Sequence, residues 1–319
     1  MKRKYSFLII IYTISIWSIV YFPGTILGEM FDIGTLPGEI SSAAYGINNA
    51  GQVVGESIDS AGKRHAFLYS GGVMTDLGGL GGGDSSANDI NTSGQIVGWG
   101  RTSAGYNHAF QYSGGVMVDL GTPFGGSNSN AARINNSGQI VGTSSPPSTG
   151  GRAFLYSSGV MTDLGGLPGF TSSRAFGIND SGQIVGFSQL PNQHHAFLYS
   201  AGVMKDLGTL GGPDSAAHGI NDLGQVVGMF DDYSGKRHAF LYSGGVMTDL
   251  GTLPGGIDSA AFDINDSGQI VGYSTDSAGR QHAFLYNPNP VPIPSTVLLL
   301  GSGLLGLAGW RRLIQGKTL

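Results

Sequence analysis

One phrase constrains the fold of this chain more than any other feature, because it is written six times. INNAGQVVG (47–55), INTSGQIVG (90–98), INNSGQIVG (134–142), INDSGQIVG (178–186), INDLGQVVG (220–228) and INDSGQIVG (264–272) recur every 42 to 44 residues. The repeating units start at Asp32, Asp76, Asp119, Asp163, Asp206 and Asp249. Self-similarity at such a period has to be settled before any single motif is interpreted.

Within one copy, the residues from Asp263 read D-I-N-D-S-G, like the front half of an EF-hand calcium loop. Only one other copy, from Asp89, has that spacing, and the twelfth place, which needs a bidentate acid, is Ser274 here and Gly100 there. All six copies share Asn, two unconstrained residues, Gly and Gln between apolar stretches. That is how a tight β-hairpin is written, with Asn or Asp starting the turn and Gly supplying positive φ.

Each unit contains four strand-like pieces: Asp-[Ile/Leu]-Gly, Ser-x-Ala-x-x-Ile-Asn, Gly-Gln-[Ile/Val]-Val-Gly, and His-Ala-Phe-Leu-Tyr-Ser with the Gly-Val-Met that follows. The spacings leave no room for a helix of normal length. The 56 glycines and the 12% of charged residues point the same way, since average chains have about 7% and about 25%. Both faces of the His-Ala-Phe-Leu-Tyr strand are apolar, Ala66 and Leu68 on one and Phe67 and Tyr69 on the other, so neighbouring sheets should cover it on both sides. Four strands per unit at this period predict an all-β chain, a six-bladed β-propeller of four-stranded blades over residues 29–287, with a β-solenoid as the alternative. The first unit lacks a His-Ala-Phe strand before it and the last lacks a closing strand after it, so residues 30–34 are expected to pair with His282–Tyr286 and close the ring.

The termini carry a different message. Lys2, Arg3 and Lys4 precede an uncharged apolar run, so residues 1–28 have the pattern of a signal peptide or N-terminal anchor. Residues 288–295 form a proline-rich spacer. Residues 296–319 contain a short, glycine-interrupted apolar run followed by Arg311 and Arg312. An exported chain follows, in contact with the membrane through both ends. A net charge of −5 without a basic stripe argues against nucleic acid. The absence of cysteine removes disulfides, thiolate nucleophiles and cysteine zinc sites.

The stretch VPIPSTVLLLGSGLLGLAGWRR (291–312) is similar to the PEP-CTERM sorting signal. The resemblance implies recognition by an exosortase-type enzyme through Pro292, Pro294, Ser295, Arg311 and Arg312, with cleavage near the proline motif. Ile293 stands where that signal usually has Glu. The repeats resemble the HAF family of extracellular repeats, on the His-Ala-Phe at 65–67, 108–110, 195–197, 238–240 and 282–284, with Arg152 in place of the third histidine. The resemblance implies a secreted protein of the cell envelope surface or extracellular matrix, held only transiently at the membrane.

Constant positions have structural readings. The His of His-Ala-Phe is expected to make a hydrogen bond at the strand start, and the recurring Asp to hold turn amides. Neither a metal nor a cofactor is implied. Catalysis needs asymmetry, so the informative positions are those at which the repeats differ. Two before the Asn stand Gly46, Asp89, Arg133, Gly177, Gly219 and Asp263; three before it stand Tyr45, Asn88, Ala132, Phe176, His218 and Phe262. If this strand is innermost, Asp89, Arg133, Arg174, His218 and Asp263 form the candidate ligand surface. No nucleophile elbow, phosphate loop or dinucleotide fingerprint is present. The expected function is that of a non-catalytic, monomeric surface or matrix scaffold that binds extracellular polysaccharide. The alternatives are a polysaccharide-active enzyme using channel acids and an envelope protein-interaction module.

Overall fold

The computed structural model describes residues 32–145 and 150–288. The chain divides into a short unit, Met1–Ile33, and a large one, Gly34–Leu319, and the repeats fill the large one. The sorting residues Pro292, Pro294, Ser295, Arg311 and Arg312 and the expected leader, 1–28, lie outside the described residues.

Six antiparallel meanders follow one another along the described chain, five of four strands and the last of three. The Ser-x-Ala piece is the first strand of each sheet: Ser41–Ile47, Gly81–Ile90, Asn128–Ile134, Ser172–Ile178, Asp214–Ile220 and Gly256–Ile264. Gly-Gln-[Ile/Val]-Val-Gly leads into the second strand and His-Ala-Phe lies in the third, as in Val53–Ile58 and Arg64–Ser70 of sheet one. The Asp-Leu-Gly piece ends the fourth, as in Val116–Gly121. Among the described residues no helix is long and apolar enough to cross a membrane.

The phrase repeated six times is a turn in every copy. In the last, Asn265 Oδ1 accepts the N–H groups of Ser267 (3.1 Å) and Gln269 (2.9 Å), and Gly268 has a φ of 76°. An Asn side chain that mimics a backbone turn, followed by Gly in the left-handed region, accounts for the invariant Asn and Gly. The recurring Asp and His also meet. Asp119 takes the N–H of Gly121 on Oδ1 (2.7 Å) and His108 Nδ1 on Oδ2 (2.9 Å). Asp206 does the same for Gly208 and His195, both at 2.7 Å. Arg152 substitutes for the histidine by donating to Asp163 through Nε (3.1 Å) and Nη2 (2.6 Å), so the interaction survives the change of residue.

Successive sheets are joined by the invariant Ser. Ser129 Oγ accepts the N–H of Ala109 from sheet two (2.8 Å) and donates to the carbonyl of Gly121 (2.6 Å). Ser85, Ser215 and Ser259 repeat both bonds, as does Ser173 with Ala153 and Gly165. The Ala of His-Ala-Phe, the Ala of Ser-x-Ala and the Phe of the next sheet are buried around each bridge. Val97 and Ala109 of sheet two, for example, pack on Ala131, Ile134, Ile140 and Phe154 of sheet three. There are five such clusters in the described chain, one between each pair of successive sheets. Both faces of each internal sheet are thereby covered, which is why the His-Ala-Phe strand is apolar on both sides.

The sixth junction, between sheet six and sheet one, differs. Ser42 and Ala44 are exposed where their counterparts are buried, Ile47 is 68% exposed, and Val271 is 47% exposed where its five counterparts are fully buried. Among the described residues, Ser42 donates to Gly34 (2.7 Å) but receives no N–H from Ala283. Of the strand expected to close the ring, residues 30 and 31 lie outside the described residues and 32–34 are not in a strand.

This asymmetry gives a comparative test. Ser173→Ala would leave the buried N–H of Ala153 and the carbonyl of Gly165 without partners and should lower the unfolding free energy by about 1–3 kcal/mol. Ser42→Ala, at an exposed position, should cost less than about 0.5 kcal/mol. Urea denaturation of both variants decides, and equal losses would mean that the seam is sealed in solution.

Candidate functional site

Each inner strand carries a β-bulge at one residue. In sheet one Ala44 pairs with Gly55 and Gly46 with Val54, so Tyr45 is skipped. In the other five sheets the skipped residues are Asn88, Ala132, Phe176, His218 and Phe262. A bulge leaves one residue unpaired and redirects its side chain. The final Gly of Gly-Gln-[Ile/Val]-Val-Gly makes room for it. A Cβ on Gly186 would collide with the carbonyl oxygen of Arg174, and the same holds between Gly55 and Ala43. The repeat is therefore built to point one side chain per sheet inward.

Those six side chains line a single cavity of about 330 Å³, together with Asn130 and Arg133. Its wall is largely aromatic. His218 lies parallel to Phe176, with ring centroids 5.2 Å apart, and edge-on to Phe262 at 5.8 Å. Burial, and then the charges of Arg237 and Arg133, push the imidazole down to about 4, so it is neutral at pH 7. Its buried Nε2 has no hydrogen-bond partner among the described residues. Asn88 Nδ2 donates to Asn130 Oδ1 (2.8 Å) across two sheets.

The candidate residues separate into distinct places. Arg133 and His218 line the cavity. Arg174 lines a neighbouring cavity of about 280 Å³ that shares Asn130, Ala132 and Phe176 with the first, and its guanidinium sits 6.0 Å from the centre of the Phe187 ring. Asp89 lies in the opposite mouth, a cavity of about 300 Å³ lined by the turns. There its Oδ2 accepts the N–H of Ile134 (2.9 Å), and burial raises its pKa against the opposing pull of Arg133. Asp263 turns Oδ1 back to the N–H of Ile264 (2.9 Å). The two channel acids are thus each tied to backbone, and neither is among the residues lining the aromatic cavity.

The mouth that holds Asp89 is bound together by amides. Asn48, Asn91, Asn135, Asn179 and Asn221 each donate Nδ2 to the carbonyl of the next sheet's Asn at 3.0–3.1 Å. A second ring runs beside it. Thr92, Asn136, Asp180 and Asp222 give their N–H groups to Asn136, Asp180, Asp222 and Asp266 in turn. Asp266 is therefore an acceptor for a neighbouring turn, a role that Asn136 fills three sheets earlier. Among the described residues no cluster of three acids or histidines forms a metal site.

Sequence reasoning found the inner ring of variable residues but missed a second one. The residue after Gly-Gln-[Ile/Val]-Val-Gly is Glu56, Trp99, Thr143, Phe187, Met229 and Tyr273 in turn. Phe187 packs on Phe176 (5.5 Å) and Tyr273 on Phe262 (5.6 Å), which extends the aromatic wall outward. Comparing the repeats position by position along the second strand would have revealed it.

No family model and no curated protein sequence matches the chain. Among solved structures, the β-propeller domain of the Trilobed protease from Pyrococcus furiosus, whose topology is described as an open velcro, superposes with a TM-score of 0.50. The identity is 9%, over 79% of this chain and 82% of that one. The chain is a β-propeller. Pyrococcus horikoshii acylaminoacyl peptidase (TM-score 0.49, 10% identity, 77% of this chain, 43% of that one) and TolB from Acinetobacter baumannii (0.44, 11%, 75% and 64%) are also similar. The propeller spans less than two thirds of either of these two, and at such identities the likeness speaks to fold alone.

Two measurements follow from this geometry. The neutral His218 of the folded chain stabilises fully above its ordinary value of 6.5, and that contribution is lost as pH falls from 6.5 to about 4. The raised Asp89 works in the opposite sense, gaining stability as it protonates, so the clean readout is a difference. His218→Phe, which keeps a ring between Phe176 and Phe262, should retain more stability than the parent at pH 4 relative to pH 7; parallel profiles would contradict the assignment. Asp266→Asn should change the melting temperature by less than about 2 °C and leave the metal content unchanged by mass spectrometry of metals, whereas stoichiometric calcium lost in that variant would restore the EF-hand reading.

Proposed function

We propose that the chain is an exported, non-catalytic propeller that binds glycans in the bulge-lined cavity and serves as a scaffold at the cell surface or in the extracellular matrix. The observation that carries the binding reading is the contrast between constant and variable positions. The Ser and the Asn that bridge sheets are the same in every repeat, while the six that the bulges turn into one cavity include three carbocyclic aromatic rings, an imidazole, an amide and an alanine. Aromatic faces stack on the C–H faces of sugar rings, and a few fixed polar groups orient the hydroxyls. The unpartnered Nε2 of His218 and the Asn88–Asn130 pair supply such groups.

Binding is favoured over cleavage because hydrolysis of a glycosidic bond takes two carboxyl groups flanking it, about 5–10 Å apart. The two channel acids are engaged by backbone N–H groups, and no carboxylate is among the described residues that line the cavity. Export rests on the composition of the two ends. The sorting partner would be an exosortase-type enzyme acting near Pro292–Ser295, with Arg311 and Arg312 retaining the precursor at the membrane.

A glycan-array screen of the full-length chain tests the binding reading. Discrete glycan signals should weaken roughly tenfold or more in Phe176→Ala, on the scale of one lost stacking contact. A folded protein that binds no glycan on the array contradicts it. Mass spectrometry of the native protein tests the fate of the tail: the mature chain should end near Ser295, and surface material ending at Leu319 would contradict sorting.

A further inference from the structure

The aromatic cavity and its neighbour share a wall. Phe176, Asn130 and Ala132 line both, and Trp99 and Arg174 belong to the second. The lining of the pair carries two guanidinium groups, those of Arg133 and Arg174, and no carboxylate among the described residues. Arg174 has no ion-pair partner among the described residues; it lies over the Phe187 ring. Arg133 donates through Nη1 only to the adjacent carbonyl of Ala132 (3.1 Å). By contrast, Arg101, Arg152 and Arg237 each have an aspartate within ion-pair distance. The charge of Arg133 acts on Asp89 in the opposite mouth, but neither guanidinium has a carboxylate within ion-pair distance among the described residues; cationic groups so placed in an aromatic cleft are matched by a ligand that brings its own anion.

We propose that the two cavities form one continuous site for an acidic polysaccharide, a chain of uronic acid residues whose rings stack on Phe176 and Trp99 and whose carboxylates meet Arg133 and Arg174. This rests on the glycan-binding reading and narrows it to charged chains longer than a single sugar. Phe176 stands between the cavities, so a ligand must pass it to reach both guanidinium groups. The Asn88–Asn130 bond leaves an amide oxygen on Asn88 and an amide N–H₂ group on Asn130 beside each other. Hydroxyl groups, which both donate and accept, suit such a pair. An acidic peptide would instead dock by main-chain pairing along a strand edge, and the bulge in every inner strand interrupts that edge.

Isothermal titration of the full-length chain with oligogalacturonates from monomer to octamer, and with the same chains after carboxyl reduction, tests the proposal. The acidic chains should bind roughly tenfold or more tightly than the reduced ones, the scale of one charge-assisted contact, and affinity should rise with length beyond the monomer. Arg174→Gln should weaken binding of the acidic chains and leave that of the reduced ones, Trp99→Ala should remove the gain with length, and Lys205→Gln, outside both cavities, should change neither. Equal binding of acidic and reduced chains would overturn this inference while leaving glycan binding intact. Binding of neither series would overturn both, and hexaglutamate binding as tightly as the uronates would make the site one for acidic peptides.

Discussion

The bond pair made by the serine of each inner strand is the contact on which the rest of the propeller depends. The hydroxyl takes a buried N–H from the His-Ala-Phe strand of one sheet and returns a proton to the carbonyl of that sheet's Asp-Leu-Gly turn. One small side chain thus satisfies two main-chain groups that the junction would otherwise leave buried and unpaired, at about 1–3 kcal/mol each. It also sets how closely successive sheets approach. That approach lets alanine, valine, isoleucine and phenylalanine fill the space between sheets.

Because the serine, the asparagine ladder and the Asp–His pair together hold the sheets, the remaining positions are free to vary. The freedom is concentrated at the mouth remote from the asparagine turns, where the bulge in each inner strand presents one residue and the second strand presents another. Rings accumulate there, and in sheets three and four arginines do as well. Charges inside the channel are costly to bury, and the chain keeps His218 neutral at this end and Asp89 bound to Ile134 at the other rather than leaving them as free ions. The structure thus separates a bonded end, where repeats agree, from a receptive end, where they differ.

Much of this was legible before the structure. The turn, the four strands per unit, the covered His-Ala-Phe strand and the variable positions at Tyr45, Phe176, His218 and Phe262 all follow from periodicity and from the chemistry of Asn, Gly and alternating apolar residues. Asp89, Arg133, Arg174, His218 and Asp263 were grouped as one surface on sequence, and the structure distributes them over separate places. Asp89 and Asp263 turn to the backbone N–H groups of Ile134 and Ile264 and are not among the residues lining the cavity, whereas Arg133, at the equivalent position and with a longer side chain, lines it. A period of two cannot reveal a residue inserted into it. The second ring at Trp99, Phe187 and Tyr273 was visible as variation, but its proximity to the first ring depends on the same bulge.

On the proposed function, one end of the propeller takes the ligand and the other end holds the sheets together. Hydrogen–deuterium exchange of the full-length chain with and without a bound oligosaccharide tests it directly. The account predicts that ligand slows exchange around the bulges, at residues 130–133, 174–177 and 216–219, and in the second strands near Trp99 and Phe187, with the turns from Asn91 to Gln95 and from Asn179 to Gln183 unchanged. Protection confined to those turns, with the bulges unaffected, would contradict it.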